Sequence, residues 1–567
     1  MSELLYKDYY DNIKKSEMNE ELKKALCRIS EYEHILTQSI KTVKENGGRV
    51  IELSDYDTDG VMSALILNQK YDIDEVRISD RYKDGYGIPN DLSSLKEGDL
   101  VILTDIGSDS IDKLKNIIDI TKTTPFIIDH HELSDDYKVF ITEGHNGVKP
   151  MVLNFYDGSC EKGKEPDYCS TGLCYRIALA DKDSLSYRQK QLISTYMANG
   201  TIGDCVKVNS PYDTNREDIL NGFHTIENME KGFEPKFGYL LYATGLTERP
   251  YMTTEAIQYQ LSPVTTLGKR MNMFNGELCN VGQKIFEMLK PDKDWEKNDG
   301  SITDEHIRTI DKLLGLNETR KREVKTFERK DFKNFIENCK DNIAIYVNDN
   351  IPDGYIGLIA MDIVNQLKRP ALVFTKNNKG DYTASGRNMD GYPDILEKCT
   401  TGIEKAIGGH TNALGITVAP NELLTYINKL KQIYKDVKPV KLDKPTLKGS
   451  EVKDITVEKL IALEPFGTDF PKVEVENTIK IGERLGKAEA WSTIYNADSN
   501  DKIKYFGYCI DGKEGDSLKV RGTLSANYYK NNTCVMLTLS EAEKVREKHK
   551  EIAKQEDVEK GDDEYER

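Results

Sequence analysis

The apolar positions of the chain follow different periods in successive regions. Between Arg49 and about Asn154, short apolar runs recur at Arg49-Val50-Ile51-Glu52-Leu53, Glu75-Val76-Arg77-Ile78, Leu100-Val101-Ile102-Leu103, Phe126-Ile127-Ile128 and Met151-Val152-Leu153. Helical stretches such as Val61 to Lys70 lie between them. That alternation predicts βαβ units and a mostly parallel sheet, whose ligands collect beyond the carboxyl ends of the strands. From Ser170 to Lys330 the pattern becomes predominantly helical, with breaks at Pro211, Pro250 and Pro263, and its charged last part, Lys290 to Lys330, predicts a long linking helix.

A second α/β pattern follows: Ile343 to Val347, a helix from about Tyr355 to Leu367, Ala371 to Phe374, and Tyr382 to Arg387. It predicts a separate, smaller domain. Beyond the Lys-Pro-rich connector Lys438 to Pro445, the runs Ile503–Tyr508, Leu518–Gly522 and Cys534–Leu539, with a turn at Lys530-Asn531-Asn532, predict a small β-barrel of the OB type. The expected division is a helical extension over 1–48, an α/β catalytic domain over 49–235 and a helical linker over 236–335. A second α/β domain over 336–437, a barrel over 446–543 and a charged tail over 544–567 complete it.

Composition adds bounds to this picture. A chain of 567 residues has room for three or four domains, and no apolar run approaches the ~20 residues that cross a bilayer. The opening Met1 to Asp8 is charged and has no secretory pattern, so a cytoplasmic location is expected. Ten cysteines without a Cys-x-x-Cys pair predict reduced thiols, mostly in the core. With 79 basic and 96 acidic residues the formal net charge is −17, which argues against a protein that coats polyanions over its whole surface. A nucleic-acid enzyme with a local basic groove remains compatible with it. The stretch Glu541 to Arg567, almost all charged, reads as a solvated helix or frayed tail.

The chemistry-bearing residues stand at the ends of the first group of strands. Asp55-Tyr56-Asp57-Thr58-Asp59-Gly60 directly follows one of them, and alternate residues of an extended segment point the same way, so its carboxylates can converge on a hard cation. A calcium loop of the EF-hand type begins with the same letters, but its twelfth position would be Ile66 and a strand stands where a helix should. Thr104-Asp105-Ile106-Gly107 and Asp129-His130-His131 close the next strands. A charge at a buried strand end is costly unless it is paired or bound to metal. Mixed carboxylate and imidazole ligation suits Mn²⁺ or Mg²⁺. Asp204, in Asn199-Gly200-Thr201-Ile202-Gly203-Asp204, offers one more carboxylate. Gly408-Gly409-His410 in the second α/β region lets backbone approach a ligand, and it lacks the Gly-Lys-Ser/Thr of a P-loop.

The order of these motifs resembles the DHH phosphoesterase superfamily, named for the triplet present here as Asp129-His130-His131, with the His410 segment similar to its DHHA1 domain. Within it the chain resembles the RecJ-type single-strand-specific DNA exonucleases. Further matches are Arg81 with Gly85-Tyr86-Gly87, Leu261-Ser262-Pro263 running to Arg270, Gly354-Tyr355-Ile356-Gly357, Ser385-Gly386-Arg387, and Glu464-Pro465-Phe466-Gly467 ahead of the barrel. Departures are Thr266 in place of the usual Asn, Lys269 in place of Gly, and Thr201-Ile202-Gly203 before Asp204.

The resemblance implies two divalent cations, Mn²⁺ or Mg²⁺, held by Asp57, Asp59, Asp105, His130 and Asp204, with Asp105 bridging and Asp55 as ligand or support. It implies His131 facing the scissile phosphate and Asp129 orienting the histidines. Arg81, Arg270, Ser385, Arg387, His410, Gly408 and Gly409 are implied to hold phosphate. In the barrel Tyr505, Phe506, Tyr508, Tyr528 and Tyr529 are candidates for base stacking, with about half expected to fill its core. The implied activity is a 5′-to-3′ exonuclease on single-stranded DNA that releases mononucleotides in repair, recombination or replication. A monomer is expected, with a single-strand-binding protein as partner. The alternatives are a phosphodiesterase of short oligonucleotides or cyclic dinucleotides and a non-catalytic replication scaffold.

Overall fold

The computed structural model describes residues 20–545, apart from 109, 182, 275, 298–299, 328–330, 390, 411, 441–445, 449–454, 489–490, 498–502, 509 and 530. Helix α1 (Glu20–Glu45) precedes strand β1 (Val50–Ser54), helix α2 (Thr58–Lys70) and strand β2 (Glu75–Ile78). Strand β3 (Leu100–Thr104), helix α3 (Ile111–Thr121), strand β4 (Phe126–Ile128), helix α4 (Asp135–Glu143) and strand β5 (Met151–Leu153) follow. The five strands form a parallel sheet in the order β2-β1-β3-β4-β5. Strands β1, β3 and β4 are buried at every position, as expected of parallel strands covered on both faces. One face rests on a core that includes Ile51, Leu53, Val101, Leu103, Leu114, Ile118 and Tyr137.

Helix α1 is integral to this sheet. Leu36 is fully buried, the Tyr32 hydroxyl donates to the Ile127 carbonyl at 3.1 Å, and Arg28 pairs with Asp157 at 2.7 Å. The neighbour order of the strands reverses between β1 and β3, so their carboxyl ends splay and leave the crevice where such sheets take ligands.

The helical region contains α5 (Ser170–Ala180), α6 (Tyr187–Asp204), α7 (Asn215–Glu227) and α8 (Pro235–Ala243). A run of short helical turns between Thr254 and Arg270 comes next, then a hairpin of β6 (Met273–Phe274) and β7 (Glu277–Leu278) and helix α9 (Val281–Leu289). The long charged helix, α10, spans Asp304–Phe327, a later start than Lys290, because α9 ends at Leu289 and a turn around Trp295 intervenes.

The second sheet, in the order β11-β12-β10-β9-β8, is built from β8 (Ala344–Val347), β9 (Ala371–Lys376), β10 (Tyr382–Arg387), β11 (Ala406–His410) and β12 (Ala413–Val418). Only β8 and β9 among them run parallel, joined by a helix over Ile356–Leu367. The described residues from Thr446 onward form a compact unit of their own. There β14 (Glu474–Gly486), β15 (Trp491–Asn496), β16 (Lys504–Tyr508), β18 (Asn532–Lys544) and β17 (Ser517–Tyr529) pair in that ring order, and β17 pairs back to β14. The result is a closed five-stranded barrel of the OB-like kind, with a short β13 (Thr446–Lys448) beside β14. Tyr505 is fully buried in its core, Phe506 and Tyr528 are half-buried, and Tyr529 is exposed. The side chain of Tyr508, Lys530 of the expected turn, residues 1–19 and the tail beyond Val545 lie outside the described residues.

The cysteines differ from the expectation of a mostly buried set. Of the nine described, Cys169, Cys174 and Cys399 are buried, while Cys27 and Cys205 are exposed and the rest are half-buried. Cys27 and Cys205 stand on the outer face of α1 and just past the end of α6, positions a count of cysteines and their spacing does not reveal.

Candidate metal centre

The parallel register brings the chemistry into line. Ser54 pairs with Ile78 and Thr104, Thr104 with Ile128, and Ile128 with Leu153. The residues one step beyond those partners are Ser79, Asp55, Asp105, Asp129 and Asn154, a row of polar groups across the carboxyl edge of the sheet. Their backbone N–H groups extend the ladder: Asp55 donates to the Thr104 carbonyl, Asp105 to Ile128 and Asp129 to Leu153, at 3.0–3.3 Å. Asp105 takes φ +61°, a left-handed conformation that non-glycine residues seldom adopt and that concentrates at functional sites.

Helix α2 supplies two more acids. Asp57 is its N-cap, accepting from the N–H groups of Asp59 and Gly60. A Cβ on Gly60 would lie 2.4 Å from the Asp55 carbonyl oxygen, so only glycine allows the first turn of α2 to sit this close to the strand end. Asp59 is held from the far side by α5, whose first N–H groups, those of Ser170 and Thr171, donate to its two carboxylate oxygens at 2.9 and 2.7 Å. Asp204 arrives on the last residue of α6.

The result is three overlapping groups, Asp55–Asp57–Asp105, Asp59–His130–Asp204 and Asp105–His130–His131, each with ligand atoms within 4.8 Å of one another. His130 Nε2 lies 3.6 Å from Asp59, 3.4 Å from Asp105 and 3.5 Å from Asp204. Ligands about 2.1 Å from one ion stand roughly 3.0–3.4 Å apart, so these side chains are close to the spacing a divalent cation requires. Carboxylates with imidazole and no thiolate match Mn²⁺ or Mg²⁺. The donor set fits.

The electrostatics say the same. Two like charges ~4.5 Å apart repel by about 4 kcal/mol at an effective dielectric near 20, so the acids cannot all ionise unaided. Burial, and then the neighbouring carboxylates, push Asp105 and Asp204 well above the ordinary range and Asp55 up to about 7. Divalent charge at this place would restore the ionised forms. Asp57 is the exception: burial would raise it, but the Lys269 ammonium, 2.9 Å from Oδ2, overrides burial and holds it below its usual value.

Asp129 serves the histidines. Its Oδ1 accepts from His131 Nδ1 at 2.7 Å and from the His130 N–H at 2.8 Å, and its Oδ2 accepts from the Ser108 N–H at 3.0 Å. Burial pulls the His131 imidazole down, yet the charge of Asp129 outweighs it and raises the group to about 9. The Tyr86 hydroxyl lies within 2.9–3.1 Å of the same ring.

The guanidiniums gather from separate elements. Arg270, half-buried, is pushed down to about 9 by desolvation and then by Arg387, Arg81 and Arg320, and its buried Nε has no partner among the described residues. A half-buried cluster of one sign favours an anion. Arg387 and Ser385 come from β10, the Arg387 guanidinium donating to Ser385 Oγ at 2.9 Å. Arg81 instead donates to the carbonyls of Lys269 (2.9 Å) and Asp353 (3.4 Å), which makes it a tie between segments as well as a charge. Gly408 and Gly409 lie on the edge strand β11, and the side chain of His410 lies outside the described residues. Sequence reasoning passed over Arg320, on α10, and the N–H groups of Ser170 and Thr171; nothing in a charged helix or a Ser-Thr pair marks them out.

No protein-family model matches the sequence. The SPbeta-prophage protein YorK of Bacillus subtilis and its counterpart in Bacillus phage SPbeta are each 22% identical over 556 residues, covering 89% of this chain and 89% of theirs. Both carry the provisional name of single-strand DNA-specific exonuclease. The structure of RecJ with Mn²⁺ from Thermus thermophilus matches with a TM-score of 0.65 at 15% identity, over 92% of this chain and 72% of that one. The chain has the fold of RecJ. A second RecJ structure, also bound to manganese, matches with a TM-score of 0.52 at 17% identity, over 72% of this chain and 95% of that chain. The RecJ likeness bears out the architecture expected from the motif order: a parallel-sheet domain, a helical link, a second α/β domain and an OB-like barrel.

Proposed function

We propose that the protein is a divalent-cation-dependent exonuclease that degrades single-stranded DNA from the 5′ end, releasing 5′-mononucleotides in repair, recombination or replication. The observation that carries this reading is the row of acids and His130 at the carboxyl edge of the first sheet, arranged in groups of three whose ligand atoms lie within 4.8 Å of one another. The RecJ fold and the name borne by the phage relatives support it.

In this reading Asp57, Asp59, Asp105, His130 and Asp204 would hold two cations, Mn²⁺ or Mg²⁺, with Asp105 the residue common to two of the ligand groups and Asp55 completing the group around Asp57. When bound, the cations neutralise the phosphodiester and make the attacking water acidic enough to react near neutral pH. His131, oriented by Asp129, donates a hydrogen bond to the scissile phosphate or protonates the departing 3′-oxygen. Asp129 holds that ring in one orientation. Arg81, Arg270, Ser385 and Arg387 grip phosphates through forked donors, and Gly408, Gly409 and His410 extend this surface. Tyr529, exposed, and Tyr528, half-buried, of the barrel stack on bases in this reading. The enzyme acts in the cytoplasm as a monomer, with a single-strand-binding protein as partner; a pull-down at moderate salt that recovers no such protein would remove the partner.

The test is a 5′-phosphorylated single strand labelled separately at each end, incubated with purified protein and Mn²⁺ or Mg²⁺. The expected result is early release of the 5′ label as mononucleotide while the 3′ label stays on shortening strands. Release of the 3′ label first would reverse the polarity. Cleavage confined to very short oligonucleotides would point to a small-substrate phosphodiesterase, and binding without turnover to a scaffold.

A further inference from the structure

One cation already sits among the acids: the ammonium of Lys269. Its place is set by the backbone around it. The short turn Leu267–Arg270 lies against the Asp55–Asp59 loop so closely that a Cβ on Gly268 would be 2.4 Å from the Tyr56 carbonyl oxygen and 2.7 Å from the Gly282 Cα. The Lys269 carbonyl accepts from Arg81 at 2.9 Å, and the next carbonyl, that of Arg270, accepts from the Tyr82 hydroxyl at 3.0 Å. With both sides of the residue anchored, its side chain reaches Asp57 Oδ2 at 2.9 Å, and it is little more than a third exposed.

A charge count shows the consequence. The Asp55–Asp57–Asp105 group has three carboxylates; the Asp59–His130–Asp204 group has two and a neutral imidazole when the latter acts as ligand. On charge alone the first group would take a divalent cation more tightly. With Lys269 in place the two groups are equal in formal charge, and Asp57, whose Oδ1 caps helix α2, has its other oxygen engaged by the ammonium. An ion entering there has to displace an ammonium, whereas in the second group Asp59 is held by the uncharged N–H groups of Ser170 and Thr171.

We propose that Lys269 is a built-in counter-cation that weakens cation binding at the Asp55–Asp57–Asp105 group, so that the protein alone holds one tightly bound divalent ion and takes the second together with the nucleic acid, whose phosphate receives the displaced ammonium. Lys269 is in this role a specificity-determining residue for metal loading. The proposal rests on the two-cation reading above.

Mn²⁺ titration followed by electron paramagnetic resonance tests it on the full chain without substrate turnover. Wild type is expected to show two classes of site separated by at least roughly tenfold in affinity. A phosphorothioate single strand should tighten the weaker class. In Lys269→Gln the weaker class tightens roughly tenfold or more without any strand, and the strand adds little further; Lys269→Arg, which keeps the charge, restores the wild-type pattern. Two classes that disappear in Asp105→Asn yet stay unchanged in Lys269→Gln would refute the role of Lys269 and leave the metal reading standing. Absence of bound Mn²⁺ in wild type would overturn both.

Discussion

The two α/β sheets have five strands each, but they use their edges differently. In the first, every strand is parallel and every carboxyl end opens on the same side, so residues in register, Asp55, Asp105 and Asp129, are forced into a row. In the second, β10 runs antiparallel to both neighbours, and Ser385 and Arg387 project from within one strand without companions in register. Ser385 pairs with Val373 and Gly415, and Arg387 with Ala371 and Ala413. The parallel sheet concentrates negative charge until a cation is needed; the mixed sheet presents single donors to an anion. On the proposed reading the comparison teaches that strand direction divides the labour, with cation binding and bond cleavage assigned to one sheet and phosphate capture to the other.

Substitutions in the two sheets should therefore fail in different ways. The largest effect is expected from Asp105→Asn, which removes the carboxylate shared by two of the ligand groups. Turnover of a single strand should fall by about three orders of magnitude or more, while the strand still binds in a fluorescence-anisotropy assay. Arg387→Ala should do the reverse: KM rises roughly ten- to hundredfold, as expected for a lost charge-assisted hydrogen bond to phosphate, and kcat changes less. Equal losses of kcat in both variants would break the division.

A third prediction concerns the first sheet away from its edge. Glu52, within β1, is fully buried, accepts from the Thr104 hydroxyl at 3.0 Å through one oxygen and has no partner for the other among the described residues. Burial pushes it up to about 8. The folded state thus keeps a proton that the unfolded chain releases near pH 4.5, so this group's contribution is complete below that pH and is lost as pH rises through about 8. Wild type should lose on the order of a few kcal/mol relative to Glu52→Gln between about pH 5 and 8, read from urea midpoints without metal. A constant difference across that range would contradict it. The smallest effect belongs to the second sheet's domain. Asp394 caps the short helix Ile395–Cys399, accepting from the Leu396 N–H at 2.8 Å. Asp394→Ala should cost about 1 kcal/mol in thermal unfolding and leave Mn²⁺ affinity unchanged.

Much of this was legible in the order of residues because buried parallel strands announce themselves as unbroken apolar runs. Val50 to Ser54 and Leu100 to Thr104 each end on a Ser or Thr followed by an Asp, so both the strand and its acidic edge are visible. Register and long-range approach were not legible. That Asp204 at the end of an 18-residue helix meets His130, or that α5 turns its first N–H groups on Asp59, depends on helix packing, which periodicity does not encode. Lys269 stood out only as a departure from a motif; its ion pair with Asp57 follows from Gly268 and Gly282 letting two backbones meet. The barrel strands β17 and β18 run 13 residues each, well past the apolar runs that marked them, because continuous pairing carries polar residues such as Asn527 and Glu541 along.

The central claim is that the carboxyl edge of the first sheet is a two-cation centre. Crystals grown with Mn²⁺ and measured at its absorption edge test it directly by anomalous scattering. The account predicts two peaks, one among Asp59, His130 and Asp204 and the other among Asp55, Asp57 and Asp105, the latter weaker in the absence of a nucleic acid. Peaks elsewhere on the protein, with none at that edge, would contradict it.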